Sequence, residues 1–243
     1  MNKERIVLWF SCGAASAVAT KICLEKYKDH ELKIVRIVIP SEHPDNARFA
    51  YVCEAWFGYP IINISSDKYT DTWDVWTRKQ YLGGPKGAPC TTELKTNVRF
   101  KFEKEWKPTM QVFGYTVEEK NRADIFRKNN PSINLITPLI DENLNKSDCL
   151  GILKNANIEI PMMYKLGFNN NNCIGCVKAG AGYWNKIRKI FPATYKRMEI
   201  LERELNHSII RIDGKNIFLD ELAPEQGRHD DPEIDCSLFC YMA

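Results

Sequence analysis

The chain has 243 residues, of which 44% are hydrophobic and 27% are charged, with a formal net charge of +3. These proportions are typical of a globular protein and argue against long disordered tracts, and the small net charge does not require a polyanionic partner such as DNA. No apolar run approaches the roughly 18 residues of a membrane-spanning helix, and the N-terminus lacks the apolar core of a signal peptide, so we expect a cytoplasmic protein without a membrane segment.

Short apolar segments alternate with amphipathic ones over the first 140 residues. Strands are predicted at residues 6–10, 33–39, 60–64, 110–115 and 134–140, and helices at about 17–27, 46–57, 73–80, 92–106 and 118–128. Because strands that alternate with helices form parallel sheets, the pattern predicts an α/β fold with a mostly parallel sheet and helices on both faces.

The pattern changes after residue 168, where a run of four asparagines begins. A long basic helix is predicted at 183–205 with a break near Pro192, and a hairpin at 209–219 turns around Asp213-Gly214. The sequence therefore predicts an α/β nucleotide-binding domain at 1–168 and a helical, cysteine-containing C-terminal region at 169–243.

A loop of small residues, Ser11–Ser16, lies between the first predicted strand and the first predicted helix. Backbone N–H groups and hydroxyls at such a position can surround a phosphate at the positive end of a helix. Small residues at strand-helix turns also occur for close packing alone, and the loop is neither a Walker motif nor a Rossmann fingerprint.

Nine cysteines in a reducing compartment indicate metal binding or thiol chemistry, because disulfides are rare there. Cys173 and Cys176 are spaced to bind one metal centre, and candidate partners are Cys90, Cys236 and Cys240. A four-thiolate zinc site and an iron–sulfur cluster both remain open. The other four cysteines are expected to be buried thiols without a chemical role: Cys12, Cys23, Cys53 and Cys149.

Several short segments, in this order along the chain, resemble the phosphoadenosine phosphosulfate (PAPS) reductase branch of the PP-loop adenine-nucleotide-binding superfamily. They are Ser11–Ser16, Glu42-His-Pro-Asp45 with Arg48-Phe49, Cys90–Lys95, Gly114–Arg122, Pro138-Leu-Ile140 with Asp148, Cys173-Ile-Gly-Cys176 and Asp235-Cys236-Ser-Leu238. Together these segments cover most of the chain.

This resemblance implies a PP-loop fold that binds an adenine nucleotide, either PAPS or ATP. The implied nucleotide-binding residues are Ser11, Gly13, Ser16, Lys95, Glu119 and Arg122. The implied cluster, of the 4Fe-4S type, has Cys90, Cys173 and Cys176 as ligands, and Cys240 is the candidate fourth ligand. Cys236 is the implied nucleophile of a sulfonucleotide reductase, with a thioredoxin-like protein as reductant.

Two departures from the family pattern keep other functions open. Cys12 and Ala15 stand where ATP-cleaving members have a second glycine and an aspartate, and Thr91 follows Cys90 where cluster-bearing reductases have a second cysteine. One alternative is an ATP-dependent sulfur-transfer or nucleobase-modifying enzyme, with a nucleic acid or nucleoside as substrate. The other is a non-catalytic nucleotide-binding module with a structural zinc site.

Overall fold

The computed structural model describes residues 3–84 and 87–228. Five strands form one sheet in the order β3-β2-β1-β4-β5, and every neighbouring pair is parallel. These strands are β1 (Arg5–Trp9), β2 (Glu31–Ile37), β3 (Ile61–Ile64), β4 (Met110–Val112) and β5 (Leu135–Ile136). The predicted α/β class with a parallel sheet is confirmed.

Eleven helices occur in the described part of the chain. In chain order they are α1 (Ala14–Lys26), α2 (Asn46–Phe57), α3 (Thr72–Lys79), α4 (Pro89–Thr91), α5 (Asn97–Trp106), α6 (Lys120–Asn129), α7 (Pro138–Asp141), α8 (Lys146–Asn155), α9 (Met162–Lys165), α10 (Ala181–Ile190) and α11 (Pro192–Glu204). A π-helical turn, Thr92–Thr96, joins α4 to α5, and a 3₁₀ turn, Val117–Glu119, precedes α6.

Apolar cores cover both faces of the sheet, and the alternating side chains of β1 point into one core or the other. Ile6 and Leu8 of β1 pack into a core with α1, α2 and α8. Val7 and Trp9 of the same strand pack into a second core with α5 and α6. The near-continuous apolar run of β1 thus follows from its burial on two sides.

A third apolar cluster joins the C-terminal region to earlier parts of the chain, among them Trp73 and Trp76 of α3. Helices α10 and α11 are separated at Phe191-Pro192, as predicted, because Pro192 lacks the N–H that would continue α10. Strands β6 (Ile210–Ile212) and β7 (Lys215–Ile217) form the predicted hairpin.

One predicted strand is largely wrong. The segment 134–140 contains only a two-residue strand, and its second half is helix α7. Pro138 has no N–H to donate to a sheet but fits the first turn of a helix, where that N–H is not needed. No helix of the described residues is long and apolar enough to span a bilayer.

Candidate functional site

A cleft opens at the carboxyl edge of the sheet, where β1 and β4 are neighbours. β2 and β3 lie on one side of β1, and β4 and β5 lie on the other, so the strand order reverses between β1 and β4. Ligands of open α/β sheets bind at such a point. The structure brings all the predicted nucleotide-binding residues into the wall of this cleft: Ser11, Gly13, Ser16, Lys95, Glu119 and Arg122.

The phosphate loop, Ser11–Ser16, joins β1 to α1. The Ser11 backbone N–H and hydroxyl donate to Ser16 Oγ over 3.2 and 3.1 Å, and the Ser16 hydroxyl donates to the Gly13 carbonyl over 3.0 Å. Gly13 precedes α1 in an extended conformation, no side chain caps the helix, and its first turn has no acidic residue. The positive end of α1 therefore has no acidic residue of its own first turn to compete with an anion in the cleft.

The backbone of Cys12 is unusual, because its φ of +58° lies in the left-handed region. For a residue other than glycine this conformation costs about 1–2 kcal/mol. The amide nitrogen of Asn171 donates to the Cys12 carbonyl over 2.7 Å and to Asn46 Oδ1 over 2.8 Å. Asn46 in turn donates to Glu42 of the cleft wall over 3.0 Å. A buried amide network thus holds the phosphate loop in its strained shape.

Gly114, in the loop after β4, allows that loop to lie directly against the start of α1. A Cβ at Gly114 would lie 2.8 Å from both the backbone nitrogen and the Cα of Ser16, and 2.9 Å from the carbonyl carbon of Ala15. These are backbone atoms, which cannot move aside as the end of a side chain can. The width of the cleft therefore depends on glycine at this position.

We expect Gly114→Ala to lower the free energy of unfolding by about 1–3 kcal/mol, since the added methyl overpacks a backbone contact. Chemical denaturation measures the loss, and Gly151→Ala is the matched control. Gly151 lies within α8, where a Cβ would meet no atom within 4 Å, so its alanine variant should be as stable as the parent or more stable. Equal effects of the two substitutions would contradict the close approach.

The opposite wall of the cleft has an ion pair between Arg122 and Glu119. Glu119 also accepts hydrogen bonds from the N–H and the hydroxyl of Thr116 over 3.1 and 3.3 Å, which begins the turn before α6. The Arg122 guanidinium lies 5.4 Å from the centre of the Tyr115 ring. Glu119 therefore orients Arg122, and the cation is the member of the pair that suits an anionic ligand.

Several polar residues of the cleft wall were not among the predicted site residues: Glu42, Tyr115, Thr116, Lys146, Tyr164, Asn170, Asn171 and Asn172. Lys146 donates to Asn170 Oδ1 over 2.9 Å. The amide nitrogens of Asn170 and Asn172 are buried and have no hydrogen-bond partner among the described residues. Burial raises the pKa of Tyr164 to about 12, so its hydroxyl stays protonated. The run of asparagines before Cys173 is the one feature of the sequence that could have pointed to these cleft residues.

A smaller pocket, here called the cysteine pocket, adjoins the cleft and is lined by Cys90, Cys173 and Cys176. Cys173 and Cys176 are buried, and Cys90 is half-buried. Lys95, at 9% exposure, lines both the cleft and the cysteine pocket. It lies in the π-helical turn before α5, a type of local irregularity that is frequent at functional sites.

The turn between Cys173 and Cys176 is fixed by Tyr183 of α10. Its buried hydroxyl accepts hydrogen bonds from the N–H groups of Gly175 and Cys176 over 3.0 and 3.3 Å and donates to the Cys173 carbonyl over 3.0 Å. Gly175 has a φ of +82°, and a Cβ there would lie 2.9 Å from the Thr194 side chain. Burial raises the pKa of Tyr183 above its usual range. The two cysteines are thus held by a rigid turn.

We expect Tyr183→Phe to lower the free energy of unfolding by at least about 2 kcal/mol, because it leaves buried backbone groups without a partner. Amide hydrogen exchange should show faster exchange at Gly175 and Cys176 than in the parent protein. Tyr51→Phe, at a tyrosine that is 77% exposed, is the control and should change neither quantity. Unchanged exchange in Tyr183→Phe would contradict the locking role.

The four cysteines predicted to have no chemical role are buried in the structure: Cys12, Cys23, Cys53 and Cys149. Burial raises the pKa of the last three to about 12, so they are protonated at neutral pH. Cys236 and Cys240 lie outside the described residues. Among residues 3–84 and 87–228, no three His, Cys, Asp or Glu side chains are grouped so as to hold a metal ion.

Comparisons with known proteins give likenesses of structure only, since no family model and no curated protein matches the chain. The fold is similar to that of a phosphoadenylyl-sulfate (PAPS) reductase from Candida auris, solved as a phosphate complex. The identity is 11% and the TM-score 0.49, over 69% of this chain and 80% of that chain. It is also similar to the U34-tRNA thiolase NcsA from Methanococcus maripaludis with its 4Fe-4S cluster, at 15% identity and a TM-score of 0.45 over 88% of this chain and 76% of that chain.

The parallel sheet and the loop of small residues between β1 and α1 agree with the expectation from the sequence. Identities and TM-scores as low as those above carry no inference about activity. The function of the chain therefore depends on the chemistry of its own residues.

Some residues of the segments that resemble the PAPS reductase branch have structural roles. Asp45 accepts two hydrogen bonds from Arg48, over 2.6 and 2.9 Å, and one from the Met162 N–H over 2.8 Å, so that α2 is tied to α9. The bonds with Arg48 lower the pKa of Asp45. Asp148 caps the start of α8 together with Asn145. These motif residues therefore shape the cleft from outside its walls.

Proposed function

We propose that the chain is an enzyme that binds an adenine nucleotide in the cleft and performs sulfur chemistry beside a cysteine-bound iron–sulfur cluster. The reaction that we place first is reduction of a sulfonucleotide such as PAPS. The observation that carries this proposal is the shared wall of the two cavities. Lys95 lines both of them, and Asn172 of the cleft is followed directly by Cys173 of the cysteine pocket.

The nucleotide part of the proposal rests on the charge of the cleft. The helix end behind Gly13, the Lys95 ammonium and the Arg122 guanidinium all attract anions. Ala15 brings no carboxylate to the phosphate loop, whereas an aspartate there would repel a phosphate or sulfate unless a cation lay between them. Such a loop suits direct binding of a phosphate or sulfate group.

The types of residue that line the cysteine pocket, rather than their spacing, support a cluster. Three cysteines line it, two lysines, Lys95 and Lys178, lie beside them, and no carboxylate is among the lining residues in the described part of the chain. Thiolate sulfurs carry negative charge, which this lining stabilises. If a cluster is bound, Cys90, Cys173 and Cys176 would hold it. Cys240 remains the proposed fourth ligand.

In the proposed reduction, the thiolate of Cys236 attacks the sulfonyl sulfur and the bond from that sulfur to the nucleotide oxygen breaks. The nucleotide leaves with this oxygen, and a thiosulfonate forms on Cys236. A thioredoxin-like dithiol then attacks the cysteine sulfur, sulfite leaves, and the partner is oxidised to its disulfide. Ser11, Gly13, Ser16 and Arg122 hold the phosphates during both steps.

The test is anaerobic purification with iron, sulfide and zinc analysis, followed by incubation with PAPS and a reduced thioredoxin. We expect iron and sulfide in the protein and sulfite in the reaction. Cys236→Ser should abolish sulfite release while it retains iron and nucleotide binding, and Cys149→Ala, at a buried cysteine without a proposed role, should stay active. Zinc without sulfite, or sulfite release that survives in Cys236→Ser, would overturn the proposed reduction.

A second candidate is ATP-dependent sulfur transfer to a nucleobase carbonyl. It is favoured by Thr91, which lines the cysteine pocket where a fourth cysteine would stand in the reductase pattern. A cluster held by Cys90, Cys173 and Cys176 alone would lack a fourth protein ligand and could supply the site for an external sulfur atom. Pyrophosphate release from ATP that depends on a nucleic acid or nucleoside, without sulfite from PAPS, would identify this reaction.

A further inference from the structure

Two polar side chains of the cysteine pocket have buried hydrogen-bonding atoms without a partner. Trp76, at 1% exposure, has its indole Nε1 buried, and Thr91, at 2% exposure, has its hydroxyl Oγ1 buried. Neither atom has a hydrogen-bond partner among the described residues, although both side chains line the cysteine pocket. Burying such a group without a partner costs about 1–3 kcal/mol, and buried polar groups are paired in most native structures.

The chemistry of these atoms restricts what can satisfy them. An indole N–H can only donate, whereas a threonine hydroxyl donates one proton and can also accept. The other polar lining groups are Thr72, whose hydroxyl is 2.7 Å from Ser41 Oγ, and the cations Lys95 and Lys178. The indole N–H therefore requires an acceptor from the occupant of the pocket, and thiolate and sulfide sulfurs, which the proposed cluster would supply among Cys90, Cys173 and Cys176, are acceptors of this kind.

We propose that Trp76 Nε1 and Thr91 Oγ1 donate hydrogen bonds to sulfur atoms of the centre in the cysteine pocket and thereby raise its reduction potential. The inference rests on the proposed function, which supplies the iron–sulfur cluster. Hydrogen bonds to sulfur reduce the electron density on the cluster and so favour its reduced form. Trp76 and Thr91 are positioning residues in this account, since they act on the centre and do not touch the nucleotide cleft.

The experiment compares Thr91→Val with Thr96→Val in the anaerobically purified full chain. Both changes replace a buried hydroxyl that has no partner among the described residues by a methyl group, and Thr91 alone of the two lines the cysteine pocket. An electron-paramagnetic-resonance redox titration should give a more negative midpoint potential for Thr91→Val than for the parent, and an unchanged potential for Thr96→Val.

Trp76→Phe is the second variant, which keeps a ring in place but removes the N–H. Trp73→Phe is its control, because Trp73 packs against Trp76 with ring centres 5.1 Å apart and does not line the pocket. Resonance Raman bands of the iron–sulfur bonds should move in Trp76→Phe and Thr91→Val only. These readouts do not depend on turnover of any substrate.

The possible outcomes separate this inference from the proposed function. In the first case the protein contains iron, and the midpoint potential of all four variants equals that of the parent or shifts equally in a variant and its control. Either result would overturn the proposed hydrogen bonds and leave the proposed function standing. A parent protein that contains no iron overturns the cluster, and with it both proposals. Should Trp76→Phe not fold, the comparison of Thr91→Val with Thr96→Val decides alone.

Discussion

Replacing Lys95 with methionine is expected to weaken binding of PAPS or ATP by about 10- to 100-fold. The substitution keeps the length of the side chain and removes the charge. A hydrogen bond to a charged group contributes about 1.5–3 kcal/mol, and 1.4 kcal/mol corresponds to a factor of ten in affinity. Lys95 is 91% buried and lies between the two cavities, so solvent screens its charge less than that of a surface lysine. Isothermal titration calorimetry measures the change.

Lys101→Met is the matched control for this prediction. Lys101 lies on α5, close in sequence to Lys95, but its side chain is 61% exposed and pairs with Asp67 over 2.8 Å. Removing its charge should leave nucleotide affinity within about twofold of the parent, since exposed ion pairs contribute little. If both variants bind the nucleotide equally well, Lys95 does not contact the phosphates and the proposed role of the shared wall fails.

Replacing Glu202 with leucine is expected to lower the free energy of unfolding by about 3 kcal/mol. Glu202 of α11 is fully buried and accepts hydrogen bonds from the N–H groups of Ile209 and Leu219 over 2.6 and 2.7 Å. Leucine leaves both donors without a partner inside the protein, at about 1–3 kcal/mol each. Glu204→Leu, at an exposed position of the same helix, is the control for chemical denaturation and should change stability little.

The same carboxyl group gives this stability a pH dependence. Burial raises the pKa of Glu202 from 4.5 to about 7. The folded protein thus keeps a proton that the unfolded chain releases above about pH 4.5, and the unfolding free energy falls as pH rises from 4.5 to 7. Its contribution is complete below pH 4.5 and is lost through pH 7. The penalty of Glu202→Leu should therefore be larger at pH 5 than at pH 8, and an equal penalty would contradict the raised pKa.

Much of the fold could be predicted because its signals are local. The apolar strands β1 and β2 and the amphipathic helix α2 were located within a few residues of their observed bounds, since hydrophobic periodicity reports burial directly. The segment 134–140 failed because an apolar run with a proline fits a short buried helix as well as a strand. Helices α8 and α9 were not predicted, and α9 is too short to show a period.

The cleft was less accessible to sequence analysis, because its walls depend on contacts between distant segments. Ser11, Gly13 and Ser16 were recognised from their place after a strand, and Lys95 and Arg122 from their charge and the resemblance. Tyr164 and the asparagines of residues 170–172 enter the cleft only through tertiary packing. Likewise, nothing local indicates that Trp76 lies against the cysteines, since a tryptophan in an amphipathic helix is usually a core residue.

The strained backbone at Cys12 has a consequence for the order in which the cleft forms. Glycine adopts a left-handed backbone conformation without strain. At Cys12 the same conformation costs free energy, and the distant Asn171 stabilises it by a hydrogen bond to the Cys12 carbonyl. The two residues are 159 positions apart, so closing this contact requires a long chain loop. We therefore expect the sheet to form before the loop Ser11–Ser16 reaches its final geometry. The cleft would then be able to bind its ligand only after the segment that contains Asn171 has packed against this loop.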